Sequence, residues 1–340
     1  MPVDIAWTIF SEGVEAVPFW PWIQDHWTWA PWIAGTVLLK KYFSGSKNTW
    51  ERDMHGRVVL VTGGTAGVGA AVVEDLAARG AQIVLLVRSL SDGWLIDHIT
   101  DLRQRSNNHL IYAEECDLSS LHSIRLFATK WIDNSPPRRL DMVILCAGVF
   151  QPPTQPRQVT DDNIELQWGV NYLANYHLLN ILSPALRVQP PDRDVRVIMA
   201  NCSAYVLADL DLDDVEFHRR SYPQNQPWRA YGSAKLALNM YAKELQAQID
   251  AYSRPDGQPN NVRVFMANPG FVRTASFRRV VTLGSLWGLA VYLLTYAFWW
   301  IVLKSPWYGA QTLLHVAMSQ DCGLGEGGKS FVECEEVRRE

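Results

Sequence analysis

The pair of residues best suited to do chemistry is Tyr231 and Lys235, in the string Tyr231-Gly232-Ser233-Ala234-Lys235. On a helix, residues four apart share a face, so the phenol and the ammonium can point into one site. A phenol with a pKa near ~10 is a poor acid or base at neutral pH, and a neighbouring cation stabilises the phenolate and brings it into range. The same string also occurs on ordinary exposed helix faces, so its weight comes from its place in the chain. It opens a long helical stretch about 30 residues after Cys202-Ser203. A second signal lies upstream in Val59-Leu60-Val61-Thr62-Gly63-Gly64-Thr65-Ala66-Gly67-Val68-Gly69, an apolar run leading into a glycine turn that opens a helix. Gly63 permits the tight turn, Gly67 lets the backbone approach a phosphate and Gly69 allows close packing. A pyrophosphate there would meet unsatisfied helix N–H groups, in a loop that also carries Thr62, Thr65 and Val68. The spacing is GxxxGxG rather than GxGxxG.

These side chains need a frame, and the chain supplies a regular alternation from Gly56 onward. Short apolar runs at 57–61, 82–87, 110–113, 140–145, 195–200 and 261–267 have the character of strands buried on both faces. Helical stretches at 68–79, 92–105, 119–133, 163–186 and 229–251 lie between them. Such alternation predicts an α/β fold, a doubly wound parallel sheet of Rossmann type in a single domain, with ligands at the carboxyl ends of the strands. No internal repeat or low-complexity tract interrupts it.

Composition excludes several classes. Charged residues are 19% of the 340, below the usual ~25%, and the apolar set is 48%. A net charge of −4 gives no general basic field, which argues against nucleic acid as a partner. The apolar content excludes disorder for most of the chain. The five cysteines include no CxxC pair, which suits a reducing compartment, and the eight histidines form no metal-binding pattern, so no metal is expected. Met1-Pro2-Val3-Asp4 lacks the basic start of a secretory signal.

The fifteen tryptophans are unevenly placed: seven lie in residues 1–50, four in 287–307 and four in 51–279. Residues 1–50 read as an interfacial arm, with Trp20, Trp22, Trp27, Trp29 and Trp32 among Pro18, Pro21 and Pro31, ahead of the 51–340 domain. Between Asp25 and Lys40 only 14 residues lack a formal charge, too few for a spanning helix, and Pro31 interrupts them. Residues 280–303 carry no charge for 24 positions. A span there would put the end of the chain across a membrane from its own sheet, so the expectation is a helical element lying on or dipping into one leaflet. Packing of the arm on its own domain is the plainer alternative.

The order of motifs resembles the short-chain dehydrogenase/reductase family over roughly residues 56–334. Thr62, Gly63, Gly67 and Gly69 match its cofactor loop, Asp117-Leu118 the acidic residue that contacts adenine, and Ala147-Gly148 the end of its Asn-Asn-Ala-Gly motif. Asn171 matches the active-site asparagine, Tyr231 and Lys235 the catalytic pair, and Pro269-Gly270-Phe271-Val272-Arg273-Thr274 the segment that meets the nicotinamide. Tyr308-Gly309-Ala310-Gln311-Thr312 and Gly328-Lys329-Ser330-Phe331 look like the retinol-dehydrogenase branch, and the apolar insert and Trp-rich head are similar to a fungal, lipid-droplet-associated offshoot of it. Two departures stand out: Leu145-Cys146 replace the paired asparagines, and in Ala200-Asn201-Cys202-Ser203-Ala204 either Ser203 or, without a gap, Cys202 takes the catalytic serine's place. Ser203 is the expected residue, because a thiol is a weak donor.

The resemblance implies an oxidoreductase in which hydride passes between nicotinamide and a carbonyl carbon. Tyr231 would exchange the proton, Ser203 polarise the carbonyl, Lys235 tune Tyr231 and hold the ribose, and Asn171 position a water. Arg88 ends the second strand where an acid would select NAD, so NADP(H) is the expected cofactor. Residues 205–228 and 276–303 would wall an apolar pocket for a lipophilic carbonyl or alcohol, retinoid-, steroid- or fatty-chain-like. A cytosol-facing domain on the endoplasmic reticulum or a lipid droplet follows. The alternatives are a membrane-anchored NADPH-binding structural or lipid-droplet morphology protein with little catalysis, and a soluble enzyme that folds 280–303 into a dimer interface. The substrate, the reaction direction and a homo-oligomer are left open by the sequence.

Overall fold

The computed structural model describes Ser11, Gly13, Glu15 and residues 20–337. Trp7, Pro18 and Met1-Pro2-Val3-Asp4, which figure in the sequence reading, lie outside the described residues.

The expected doubly wound sheet is present. Strands β1 (Val58–Thr62), β2 (Gln82–Val87), β3 (Ile111–Glu115), β4 (Met142–Leu145), β5 (Val195–Ala200), β6 (Val262–Asn268) and β7 (Lys329–Val332) run parallel, with the short β8 (Glu335–Glu336) antiparallel at the edge. Their order is β3-β2-β1-β4-β5-β6-β7-β8. The chain therefore winds outward from β1 in one direction and then returns to lay β4 on the other side of β1, which makes the β1/β4 junction the switch point. All five β1 residues are buried, and their side chains alternate between two cores. Leu60 and Val84 pack under helices Leu121–Ile132, Ala174–Arg187 and Pro227–Ala251, while Val59, Val61 and Ile83 pack under Gly67–Ala78, Gly93–Ser106 and Pro306–Met318. Two buried faces explain why these strands read as continuous apolar runs.

Two expectations need correction, over 163–186 and at Pro31, and the helical element expected over 280–303 is present in pieces. The helix expected over 163–186 is a single turn Leu166–Trp168, a π turn Gly169–Leu173 and then Ala174–Arg187. The element expected over 280–303 is three short helices, Ala275–Thr282, Leu286–Leu294 and Tyr296–Val302, because Leu283 and Gly284 adopt left-handed conformations and Ser285 caps a new start. The first two are bent by 111°, and no single helix among the described residues is long and apolar enough to cross a membrane. Pro31 does not interrupt the arm. It begins the helix Ala30–Ser44, where its missing N–H costs nothing, and the break falls earlier at the turn Trp27–Trp29. Ser44 and Asn48 are already buried, with Asn48 N donating to Gln311 Oε1 at 3.1 Å.

One buried cation locks the sheet to the helix Pro306–Met318. Arg196 on β5 is 1% exposed and donates to the Val316 carbonyl and, at 2.8 Å, to the Ser319 carbonyl. It also pairs with Asp194 at 2.6 Å, and Arg52 reaches the same carboxylate at 2.8 Å. Burial alone would push the Asp194 carboxyl up; the two guanidiniums outweigh it and hold it below its ordinary range. Removing the guanidinium leaves two helix-end carbonyls without this donor and the half-buried Asp194 carboxylate with Arg52 alone. Arg196→Ala is therefore expected to lower unfolding stability by about 3–5 kcal/mol in urea titration, with Arg196→Lys recovering part of it.

Candidate active site

The carboxyl ends of β1, β4, β5 and β6 converge at the switch point. Thr62, the last residue of β1, is buried, and its Oγ1 accepts from Ala147 N at 3.2 Å, so β1 and β4 leave the sheet tied together. Gly63 follows with φ +66°, and a Cβ there would stand 2.7 Å from Ala147 N. A Cβ on Gly69 would stand 2.2 Å from the Gly63 carbonyl oxygen. Both positions are thus closed to any side chain, and the result is a backbone-lined crevice at the start of helix Gly67–Ala78. No side chain caps that helix, so its first N–H groups, beside Thr65 and Val68, are free for an anion. Thr274 covers the crevice from the far side, its Cγ2 3.1 Å from where a Gly67 Cβ would lie. A dinucleotide's pyrophosphate fits this cradle.

The segment that carries Thr274 is held at both ends. Asn268 Oδ1 accepts from Gly270 N at 2.9 Å, just after Pro269. Val272 forms a parallel bridge with Lys304, with Arg273 N donating to Lys304 O at 2.9 Å. Arg88 is exposed just beyond β2 and forms no ion pair among the described residues. Asp117 Oδ1 accepts from Ser119 N and Ser119 Oγ, both at 2.8 Å, which closes the turn after β3, and Leu118 packs against the core.

Asn171 sits in the π turn. Its side chain behaves as a short piece of strand: Oδ1 accepts from Val149 N at 2.7 Å and Nδ2 donates to Val149 O at 2.8 Å. That fixes the path of the chain past Ala147 and Gly148, and the extra residue of a π turn is what aims the side chain there. Nothing in the helical periodicity of 163–186 reveals the turn.

Lys235, one turn past Tyr231 on helix Pro227–Ala251, is 4% exposed, and its Nζ donates to the Ala200 carbonyl at the end of β5 at 2.9 Å. The amine lies 5.7 Å from the centre of the Tyr231 ring, and Phe150 packs on the other side at 4.9 Å. Phe150 was not legible as a site residue, because its placement depends on the loop that Asn171 holds. The direction of the tyrosine shift also differs from expectation. Burial pushes the Tyr231 phenol up, and Cys202 adds to that push. Burial likewise pushes the Lys235 ammonium down, with Cys202 and Cys146 partly offsetting it. Desolvation outweighs the attraction that sequence spacing alone suggests, and Tyr231 is held as a neutral phenol. Cys146, pushed up to about 12 by burial, stays a neutral thiol.

Ser203 is exposed, and its Oγ accepts from Asn268 Nδ2 at 2.8 Å. Cys202, half-buried and extended in backbone, directly precedes it where the chain leaves β5. Asn268, which ties this turn to Gly270, was missed, although an Asn directly before Pro-Gly is a turn signal.

Comparison with known proteins bears on the family and the fold. Residues 57–203 match the short chain dehydrogenase family. The chain is 49% identical over 300 residues to an uncharacterized oxidoreductase, pbr1, of Schizosaccharomyces pombe, covering 87% of this chain and 80% of the relative. It is 32% identical over 290 residues to human retinol dehydrogenase 13, covering 85% and 80%. Among solved structures, L-sorbose reductase from Gluconobacter frateurii complexed with NADPH and L-sorbose superimposes with a TM-score of 0.60 at 20% identity, over 82% of this chain and 96% of that one.

Giving Cys202 the catalytic serine's place, as the gap-free alignment does, has a kinetic consequence. A hydroxyl is a better donor than a thiol by roughly one hydrogen bond's worth, so Cys202→Ser is expected to raise kcat by about 10-fold, and Ser203→Ala to change it by less than about threefold. A large loss in Ser203→Ala with no gain in Cys202→Ser would return the role to Ser203.

Proposed function

The chain belongs to the short-chain dehydrogenase family, on its retinol-dehydrogenase-like side, and we propose that it is an NADP(H)-dependent oxidoreductase acting on a lipophilic carbonyl or alcohol at a membrane or lipid-droplet surface. The observation that carries this reading is the half-buried Tyr231 and the buried Lys235 beside a glycine cradle at the switch point. The nicotinamide, when bound, supplies or accepts the hydride. Tyr231, a neutral phenol, gives its proton to the carbonyl oxygen in the reductive direction and needs none of the ionisation that a raised pKa makes scarce. Lys235 keeps a fixed place through Ala200 O and supports the charge that forms on the phenolate as the proton leaves. The carbonyl-facing position falls to Cys202 in the gap-free alignment and otherwise to Ser203, and Asn171 holds the loop that bounds the nicotinamide side.

Arg88 supports the choice of cofactor: it is an exposed guanidinium at the end of β2, followed by the mutually bonded hydroxyls of Ser89 and Ser91 at 2.7 Å. Such a group suits a ribose phosphate and not a bare diol. The substrate class rests on the apolar elements that leave the site directly after Thr274, in which Leu286, Trp287 and Leu294 are more than four-fifths exposed.

Two measurements test the reading. NADPH is expected to bind more tightly than NADH, and Arg88→Glu to weaken NADPH by about 10–100-fold while sparing NADH, the range of one charge-assisted bond; tighter binding of NADH by the natural chain would contradict it. Tyr231→Phe is expected to cut NADPH-dependent reduction of a long-chain carbonyl by about 10²–10⁴-fold with cofactor binding unchanged. In the natural chain, alcohol oxidation, which needs the phenolate, should climb with pH through the alkaline range, while reduction gains nothing from it. Full activity in Tyr231→Phe would remove the assignment. Cofactor binding with no turnover on any long-chain carbonyl would favour the structural alternative, which the thiols at Cys146 and Cys202 make the natural second reading.

A further inference from the structure

The arm and the insert are about 250 residues apart in sequence, yet they are one assembly. Helix Ala30–Ser44 of the arm packs against helix Tyr296–Val302 of the insert. Lys40 Nζ fastens the contact, donating to the Trp300 carbonyl at 2.6 Å and the Leu303 carbonyl at 2.9 Å while lying 5.2 Å from the Trp300 ring. These are carbonyls at the end of a helix, where a cation is favoured by both the unpaired acceptors and the helix dipole.

The arm and the insert each leave large apolar side chains in solvent on and beside the contacting helices. On the arm, Trp27, Trp29 and Trp32 are 67%, 64% and 78% exposed, and on the insert Leu286, Trp287 and Leu294 are 85%, 85% and 87% exposed. Exposure on this scale on two joined elements marks an interaction surface.

The charges on these elements are segregated. Residues 26–50 hold Lys40, Lys41 and Lys47 and no carboxylate; residues 271–307 hold Arg273, Arg278, Arg279 and Lys304 and no carboxylate. These seven cations sit on a chain of net charge −4, so the rest of the molecule carries −11. Lys41, Arg278 and Arg279 are exposed. We infer that the arm and the insert together form one docking face for a phospholipid surface bearing anionic headgroups, entered to the depth of a single leaflet.

Three features select this occupant. Tryptophan combines an apolar body with one N–H donor and favours the headgroup zone, and cations beside it are complementary to lipid phosphate. A second copy of the same face would set an excess of cations opposite cations, with only Asp25 and Glu333 near them to pair, which disfavours a symmetric dimer. The 111° bend between the insert's first two helices interrupts its apolar stretch, which suits a shallow seat in one leaflet. The inference rests on the surface-bound part of the proposed function and adds its molecular face and its charge preference. The insert's base is the Val272–Lys304 bridge, next to the segment that covers the cofactor crevice, so a substrate dissolved in the leaflet would meet the site at its edge.

The test uses the full chain with vesicles of phosphatidylcholine alone and of phosphatidylcholine with phosphatidylserine, read by co-flotation at low and high salt. Binding is expected to be at least about 10-fold tighter to the anionic vesicles and to lose that advantage at high salt. The triple variant Lys41→Gln, Arg278→Gln, Arg279→Gln should bind both vesicles at the phosphatidylcholine level, with NADPH affinity intact as evidence of folding. Trp32→Ala with Trp287→Ala should weaken binding to both. Equal binding of the natural chain to the two vesicle types overturns the charge preference. No binding to either, with a dimer by light scattering, overturns the lipid face in favour of a second copy. In each case turnover on a detergent-dispersed carbonyl shows separately whether the oxidoreductase reading stands.

Discussion

Lys235 Nζ donates to the Ala200 carbonyl at the last residue of β5, and that bond fixes a buried amine at the point where four parallel strands end. A buried lysine amine without a partner would be costly, and the free strand-end carbonyl is the partner that the fold provides. The bond holds the start of helix Pro227–Ala251 against the sheet, and with it the Tyr231 ring one turn earlier. The same end of the sheet is closed on its other side by Asn171, which pins the chain leaving β4, and by Thr62, which pins Ala147. Tyrosine, glycine cradle and cover segment therefore share one set of backbone coordinates.

The electrostatic character of the site follows from its dryness. Leu145 and Cys146 stand where polar groups would otherwise line the centre, and burial keeps the Cys146 thiol neutral. In such surroundings the tyrosine rises and the lysine falls, so the phenol stays protonated. This suits a proton donor to a carbonyl better than a standing phenolate base. It also makes the pair sensitive to any group that brings charge into the crevice.

What the sequence made legible was whatever is local. The YxxxK spacing, the glycine turn and the apolar strands each depend on neighbours within a few residues, and all three stand in the structure as read. The π turn was hidden because a helix with one extra residue keeps its apolar rhythm across 163–186. Whether Cys202 or Ser203 faces the carbonyl turns on where β5 stops and the turn Ser203–Leu207 begins, a boundary that one-residue register cannot give. The direction of the Tyr231 shift depended on how much of the fold surrounds it. The Lys40 contact joins positions 40 and 303, and no local pattern announces it. The tryptophan clusters marked two attachments, and only the packing shows that they are one.

The central claim is that this frame moves a hydride between a nicotinamide and a lipophilic carbonyl. The most direct measurement is mass spectrometry of the product formed from a long-chain ketone or aldehyde and NADPH deuterated at the nicotinamide C4. The account predicts an alcohol carrying one deuterium on the carbinol carbon, formed by the natural chain and not by Tyr231→Phe. Cofactor binding with no deuterated alcohol from any carbonyl of this class, or product formed equally by the variant, would contradict it.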